Sequence, residues 1–311
     1  MPGRTDTPTA AGVGLATAPI GVVPIVWNNV DLLDLAPPVS ADVVLDEIAR
    51  LGFAGCQFGR GFPEGAELRR ALATRGLVLA ERYCELPSDD GGLGISARRT
   101  AFDLLEQTIA DAGEVLCVAL SVGGERDAWA GRATEADAPR WQATSFAELA
   151  ELLAELAEAA GEACRITFHP HAGTWVETPD EVDRLAAGLD GTAGLCLDVG
   201  HFLVGGGDPA SAVAQYGPLI HHVHLKDVDG AVLARLRGGE IASFADAIRA
   251  RLFTELGNGL LDLRGVLAQL GEIGYGGWLM VEQDSSWLAP AEAAAVGRRV
   301  LAFALAEVRT P

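Results

Sequence analysis

Lysine is almost missing from this chain: of 23 lysine and arginine residues, Lys226 alone is a lysine. Set against 43 acidic residues, this leaves a formal net charge of −20. The clustered cations that a nucleic acid or an anionic membrane surface demands are therefore not expected. Cysteine is sparse and scattered. Cys56, Cys84, Cys117, Cys164 and Cys196 stand singly, without a C-x-x-C pair, which argues against a disulfide framework or a zinc ribbon. Each falls within a short apolar run, so buried, reduced thiols and a cytoplasmic location are expected. No stretch reaches the roughly 18–20 uninterrupted apolar residues of a membrane span. Residues 1–18 lack a basic n-region, and Pro19 and Pro24 break the apolar stretch that follows. They read as a disordered leader and not as a signal peptide. No G-x-G-x-x-G follows the first apolar run and no Walker loop occurs, which removes the common nucleotide-binding folds.

What is present is a strict alternation of short apolar runs with segments of helical period, the pattern of a parallel α/β sheet. Strands are expected at 20–27, 54–58, 77–83, 115–120, 164–169, 194–198, 220–225 and 278–282. Helices are expected at 40–51, 64–75, 97–112, 144–160, 179–189, 209–216, 263–273 and 290–308. Ser40, Thr178-Pro179 and Asp208-Pro209 supply helix starts, and Gly52 and Gly76 supply stops. A doubly wound open sheet uses the same units, but eight strand–helix pairs in order favour a closed (β/α)8 TIM barrel. Residues 19–311 thus form one domain, with 123–139 as a long mouth loop. Residues 226–261 form a mouth insertion holding a helical stretch near 244–252.

In such a barrel the site lies at the C-terminal ends of the strands. The fifth run ends in His169-Pro170-His171, the sixth in Asp198-Val199-Gly200-His201, the seventh in His222-Val223-His224-Leu225-Lys226 and the eighth in Glu282-Gln283-Asp284. Alone, each has a plain explanation: an aspartate before glycine is usually a turn or a cap, and a strand-end histidine is often just hydrogen-bonded. Together, His169, Asp198, His224 and Glu282 give a nitrogen and oxygen set suited to Mn2+, Co2+, Mg2+ or Zn2+. All six histidines lie between His169 and His224. His221 falls on the outward face and reads as structural, and His222 is deeper on the face of His224. Lys226 shares that face, nearer the mouth. Keeping one lysine where arginine is otherwise universal points to a need for a primary ammonium, chance survival being the alternative. Closure of the eighth strand on the first brings Trp27, Asn28 and Asn29 to the same rim.

The runs His169-Pro170-His171-Ala172-Gly173-Thr174, Leu197-Asp198-Val199-Gly200-His201, Gly206-Gly207-Asp208-Pro209 and His222-Val223-His224-Leu225-Lys226-Asp227, with Pro24-Ile25-Val26-Trp27-Asn28-Asn29 near the start, resemble the inosose dehydratase branch of the xylose-isomerase-like barrel superfamily. The likeness extends over nearly the whole chain from about residue 20. It implies metal binding by Asp198, His224 and Glu282, with a fourth ligand at the end of strand five. There the superfamily usually has a glutamate and this chain has both His169 and His171. It also implies a keto-polyol substrate such as 2-keto-myo-inositol, dehydrated with Mn2+ or Co2+. Two departures stand out: the stretch after the eighth strand is short, and Val30 replaces an acidic residue.

The chemistry expected of the site is proton abstraction next to a ketone followed by loss of a β-hydroxyl, with His171 or His201 as base or acid and Lys226 as a donor. Trp27, Asn29 and Trp175 are candidates to touch the hydroxyls or ring face, Trp175 serving equally as a loop anchor. Isomerisation, epimerisation, or cleavage of a 3-keto-C-glycoside would share the first step. From other classes, a phosphodiesterase needs a basic surface this chain lacks, and a non-catalytic sugar-binding barrel is the remaining alternative. The partner expected is a small polyol or sugar; a homo-oligomer is allowed.

Overall fold

The computed structural model describes residues 14–308. Eight parallel strands form a closed barrel: β1 (Ile20–Val22), β2 (Gly55–Gln57), β3 (Val78–Leu86), β4 (Val115–Leu120), β5 (Arg165–Phe168), β6 (Gly194–Asp198), β7 (Ile220–Leu225) and β8 (Leu279–Val281). Each pairs with its sequence neighbours, and β1 closes on β8 through Ile20 opposite Leu279 and Val22 opposite Val281. The cause is visible in the alternation. On β4, Leu116, Val118 and Leu120 join the large core beneath the helices, whereas Val115 and Cys117 join a small cluster with Cys196 inside the barrel. The same two-residue period turns His222, His224, Met280 and Glu282 inward and leaves Leu225, Leu279 and Val281 outside.

The helices are α1 (Ala41–Arg50), α2 (Gly65–Ala73), α3 (Ala97–Ala110), α4 (Ala143–Ala160), α5 (Pro179–Ala186), α6 (Val199–Val204), α7 (Pro209–Tyr216), α8 (Gly230–Arg237), α9 (Phe244–Arg249), α10 (Leu263–Glu272) and α11 (Pro290–Val308), of which α8 and α9 belong to the mouth segment. Thr178 closes a reciprocal capping box with Glu181, and Asp208 caps α7. Ser40 occupies its cap position without a side-chain hydrogen bond. Gly52 and Gly76 follow their helices at φ +77° and +68°, backbone that side-chain-bearing residues seldom adopt.

Three expectations shift. The leader expected over 1–18 falls largely outside the described residues, but Leu15–Thr17 form a 3-10 turn whose Leu15 is buried in the core. The first strand stops at Val22 because Pro24, which has no N–H, opens a 3-10 turn over Pro24–Val26. The short helices α6 and α8 were not foreseen.

Residues 226–261 roof the mouth. Asp227 staples the segment's two ends, accepting N–H bonds from Gly257, Gly259 and Leu261 at 2.9, 3.0 and 2.9 Å. A two-stranded ladder pairs Asp227–Val228 with Phe253–Thr254. Above the barrel, Leu32, Ala130, Ala172, Val204, Phe244 and Phe253 belong to a second, separate apolar cluster. Loops from four sides of the mouth are thereby bound into one cover.

Candidate active site

Four consecutive strands deliver the expected donors to one point. One ligand atom from each of His169, Asp198, His224 and Glu282 lies within 4.8 Å of the others. Nε2 of His169 is 3.5 Å from Asp198 Oδ2, and Nδ1 of His224 is 3.7 Å from that oxygen and 2.7 Å from Glu282 Oε2. Asp198 divides its oxygens between two tasks. Oδ1 caps α6 by accepting the His201 N–H at 2.7 Å, while the buried Oδ2 makes no hydrogen bond. His224 Nδ1 and Glu282 Oε2 are likewise buried without a hydrogen bond of proper geometry. Acceptors converging in a dry interior are costly unless a cation sits among them. The donor set therefore fits a divalent ion bound by nitrogen and oxygen.

The electrostatics agree. Burial would raise the carboxyls of Asp198 and Glu282, but the Lys226 ammonium, with His169 and His224 also close to Asp198, holds both down at about 2. Burial opposes charge on His224, yet Glu81 and Glu282 outweigh it and raise its affinity for a proton well above the ordinary value. A field that draws a proton draws a metal cation equally. Lys226 is buried, with Nζ at 2.9 Å from Glu282 Oε1, 2.9 Å from Asp284 Oδ1 and 3.6 Å from Asp198 Oδ2. These carboxylates overcome the burial penalty and raise its pKa, so the side chain stays charged.

Beside the donors, His171 and His201 stack with ring centroids 3.7 Å apart. Ala172 holds both. Its carbonyl lies 2.8 Å from His171 Nδ1, and its N–H donates to His201 Nδ1 at 3.1 Å. A carbonyl can only accept, so His171 carries its proton on Nδ1. His201 turns Nδ1 to the Ala172 N–H and Nε2 to the Lys226 ammonium at 3.1 Å, so both of its nitrogens face donors. Burial, followed by neighbouring His169 for one ring and His171 for the other, pushes both pKa values well below the usual histidine range. Phe244 and Phe253 of the roof complete the enclosure, Phe253 lying 5.0 Å from the His201 ring centroid.

The three residues expected to contact substrate do not line this chamber. Trp27 is turned out of the rim by the early end of β1, and its Nε1 donates to Glu47 at 2.6 Å. Asn29 ties two loops together, donating to the Asp284 carbonyl and accepting the N–H groups of Asp31 and Leu32. Trp175 is buried in the core, stacked on Trp141 at 6.1 Å. The wall facing the donors is formed instead by Asp31, Gln57, Tyr83 and Glu85, with Asp284 beside Lys226. Tyr83 and Glu85 share the inward alternation of β3, which was the available signal. Asp31 and Asp284 sit on loops and gave none. His221 points away, into a cleft of about 700 Å³ at the opposite end of the barrel that contains none of the expected site residues. Among the described residues no helix is long and apolar enough to cross a membrane.

Comparison with known proteins agrees with this architecture. Residues 45–303 match the family described as xylose isomerase-like TIM barrel. The chain is 33% identical over 305 residues to the rhizopine catabolism protein MocC of Rhizobium meliloti, covering 96% of this chain and 92% of that one. It is 32% identical over 269 residues to the inosose dehydratase of Geobacillus kaustophilus, covering 85% and 87%. The solved structure of the IOLI protein with a bound zinc atom superposes with a TM-score of 0.65 at 14% identity, over 94% of this chain and all of that one, a likeness of fold. By motif, barrel and sequence alike, the chain belongs to the xylose isomerase-like TIM barrel family, in its inosose dehydratase-like branch.

Proposed function

We propose that this protein is a divalent-metal-dependent carbon–oxygen lyase that dehydrates a keto-polyol, with 2-keto-myo-inositol as substrate and Mn2+ or Co2+ as its ion. The observation that carries the reading is the placement of a four-donor cation site beside two buried imidazoles, both held by one peptide unit, of which His171 keeps its proton on Nδ1. His169, Asp198, His224 and Glu282 would hold the ion. When bound, it supplies Lewis acidity that stabilises negative charge developing on a ketone oxygen.

The remaining work belongs to the chain. His171 Nε2 carries the free lone pair and has no hydrogen-bond partner among the described residues, so it is the base for the proton α to the ketone. Breaking that C–H bond leaves an enediolate and a protonated His171. The same imidazolium then gives its proton to the β-hydroxyl as the β C–O bond breaks, releasing water and restoring the neutral ring. The Lys226 ammonium, 3.1 Å from His201 Nε2, is the donor poised for an oxygen of the substrate, with the His201 ring beside it.

Charge selects the substrate class. Of the residues lining the chamber, Lys226 is the one permanent cation, and Glu282 and Asp284 already engage it. Asp31 and Glu85 add negative charge opposite. A phosphate or carboxylate would meet these groups unpaired, whereas an uncharged polyol finds donors and acceptors throughout. The five cysteines are free and buried, in keeping with a reducing cytoplasm. The test is to supply metal-loaded protein with 2-keto-myo-inositol and follow the ultraviolet absorbance of a conjugated enol product in deuterated solvent. Product formation that chelation abolishes supports the lyase. Deuterium uptake without water loss would instead identify an isomerase or epimerase, and neither would leave a binding protein.

A further inference from the structure

Beneath the candidate ion position lies a carboxylate that reaches neither the chamber nor solvent. Glu81, in the middle of β3, is fully buried. Its oxygens are divided. Oε1 accepts from Gln57 Nε2 at 2.6 Å, while Oε2 faces the Nε2 atoms of both His222 at 2.6 Å and His224 at 2.9 Å. An ionised carboxylate only accepts hydrogen bonds, so His224, whose Nε2 makes a hydrogen bond to Oε2, turns a protonated Nε2 toward it. His222 Nε2 lies close by without hydrogen-bond geometry. When His224 gives up a proton to a cation, the lone pair is therefore left on Nδ1, the atom aimed at Asp198 Oδ2 and Glu282 Oε2. The other imidazole of the donor set differs: the outer nitrogen of His169, Nδ1, is buried without a partner.

We infer that Glu81 is a positioning residue for the metal centre, fixing the tautomer and ring orientation of His224 and strengthening Nδ1 as a ligand, with His222 and Gln57 holding the carboxylate in place. A carboxylate behind a ligating imidazole feeds charge into the ring and steadies it, and losing such a partner costs about 10–100-fold in metal affinity. A purely structural role does not explain the arrangement. A buried charge costs several kcal/mol to desolvate, and apolar residues of equal volume hold a barrel interior at least as well. The geometry also makes the two histidine ligands unequal, His224 anchored from behind and His169 not.

This inference rests on the metal-site reading above, and the test reads metal binding without recourse to turnover. Full-length apo protein is titrated with Co2+, followed by calorimetry and by the visible ligand-field band, for the wild type, Glu81→Gln, Gln57→Ala and His224→Ala. Glutamine keeps the shape and an acceptor oxygen but removes the charge. Glu81→Gln, which takes a carboxylate from two buried imidazoles and so lowers the apo thermal midpoint, is expected to bind Co2+ about 10–100-fold more weakly and shift the band. Gln57→Ala, which frees one oxygen of Glu81 and leaves its charge, is expected to weaken binding by a smaller factor. An affinity within about threefold of wild type and an unchanged band for Glu81→Gln would overturn the inference, given the effect such partners normally exert. If Glu81→Gln does not fold, an unchanged affinity and band in Gln57→Ala overturns it. Failure of the wild type to bind Co2+, or full binding by His224→Ala, overturns the metal-site reading and the inference with it.

Discussion

Replacing Lys226 by methionine keeps the aliphatic stem and removes one charge from the centre of the site. The ammonium is 2% exposed and lies within 3.6 Å of Glu282, Asp284 and Asp198, so methionine leaves buried carboxylates without their cation. Breaking a buried ion pair from one side costs about 3–5 kcal/mol. At about 2–4 °C per kcal/mol for chains of 150–250 residues, the apo thermal midpoint should fall by roughly 6–20 °C. A divalent ion held by Asp198 and Glu282 neutralises the same groups, so metal should restore more stability to the variant than it adds to the wild type. For scale, a ligand at 100 times its Kd adds about 2.7 kcal/mol. Scanning fluorimetry with and without Mn2+ or Co2+ measures both quantities. An unchanged apo midpoint, or a metal increment no larger than the wild type's, would refute the claim that lysine and metal share these carboxylates. Arginine should not rescue the variant. The Lys226 nitrogen meets Glu282 and Asp284 at 2.9 Å each and Asp198 at 3.6 Å, and a larger planar guanidinium cannot reproduce the compact ammonium among them.

Asp198→Asn should keep its cap on α6 and lose metal, as read by elemental analysis after dialysis. His171→Gln should lose α-proton exchange by about 10²–10⁴-fold with metal content intact. His201→Gln removes the ring that orients the Lys226 ammonium and should lower kcat by about 10²–10³-fold; equal metal content in both variants checks that the loss is chemical. Because burial depresses the His171 pKa well below 6.5, the base stays deprotonated as the pH falls. With saturating metal the acid limb of the kcat profile should therefore lie below pH 6.5, and a limb at or above that value contradicts the assignment.

The barrel and its donors were readable because both rest on alternation. A strand that is apolar on one face and ends in histidine or aspartate tells where it stops and which way the last side chain points. Glu81 escaped for the same physical reason in reverse. Placed inside a run with Arg82 and Glu85, it looked like one more polar residue, and its significance lies in His222 and His224, four strands away in sequence but across the barrel in space. Trp27 was misplaced through one proline, since a strand carried on to residue 27 would have kept the indole at the rim. The choice between His171 and His201 was beyond sequence altogether, because it depends on which atoms of the Ala172 backbone face each ring.

That last contact constrains how the site can change. The direction of proton flow is dictated by a main-chain segment whose polarity no codon alters, so exchanging one imidazole for the other by mutation would not reverse their duties. An engineer seeking the opposite assignment would have to turn the backbone around residue 172 itself. Ala172 also forms part of the apolar cover over the mouth, so that reversal would have to be made without unseating the roof.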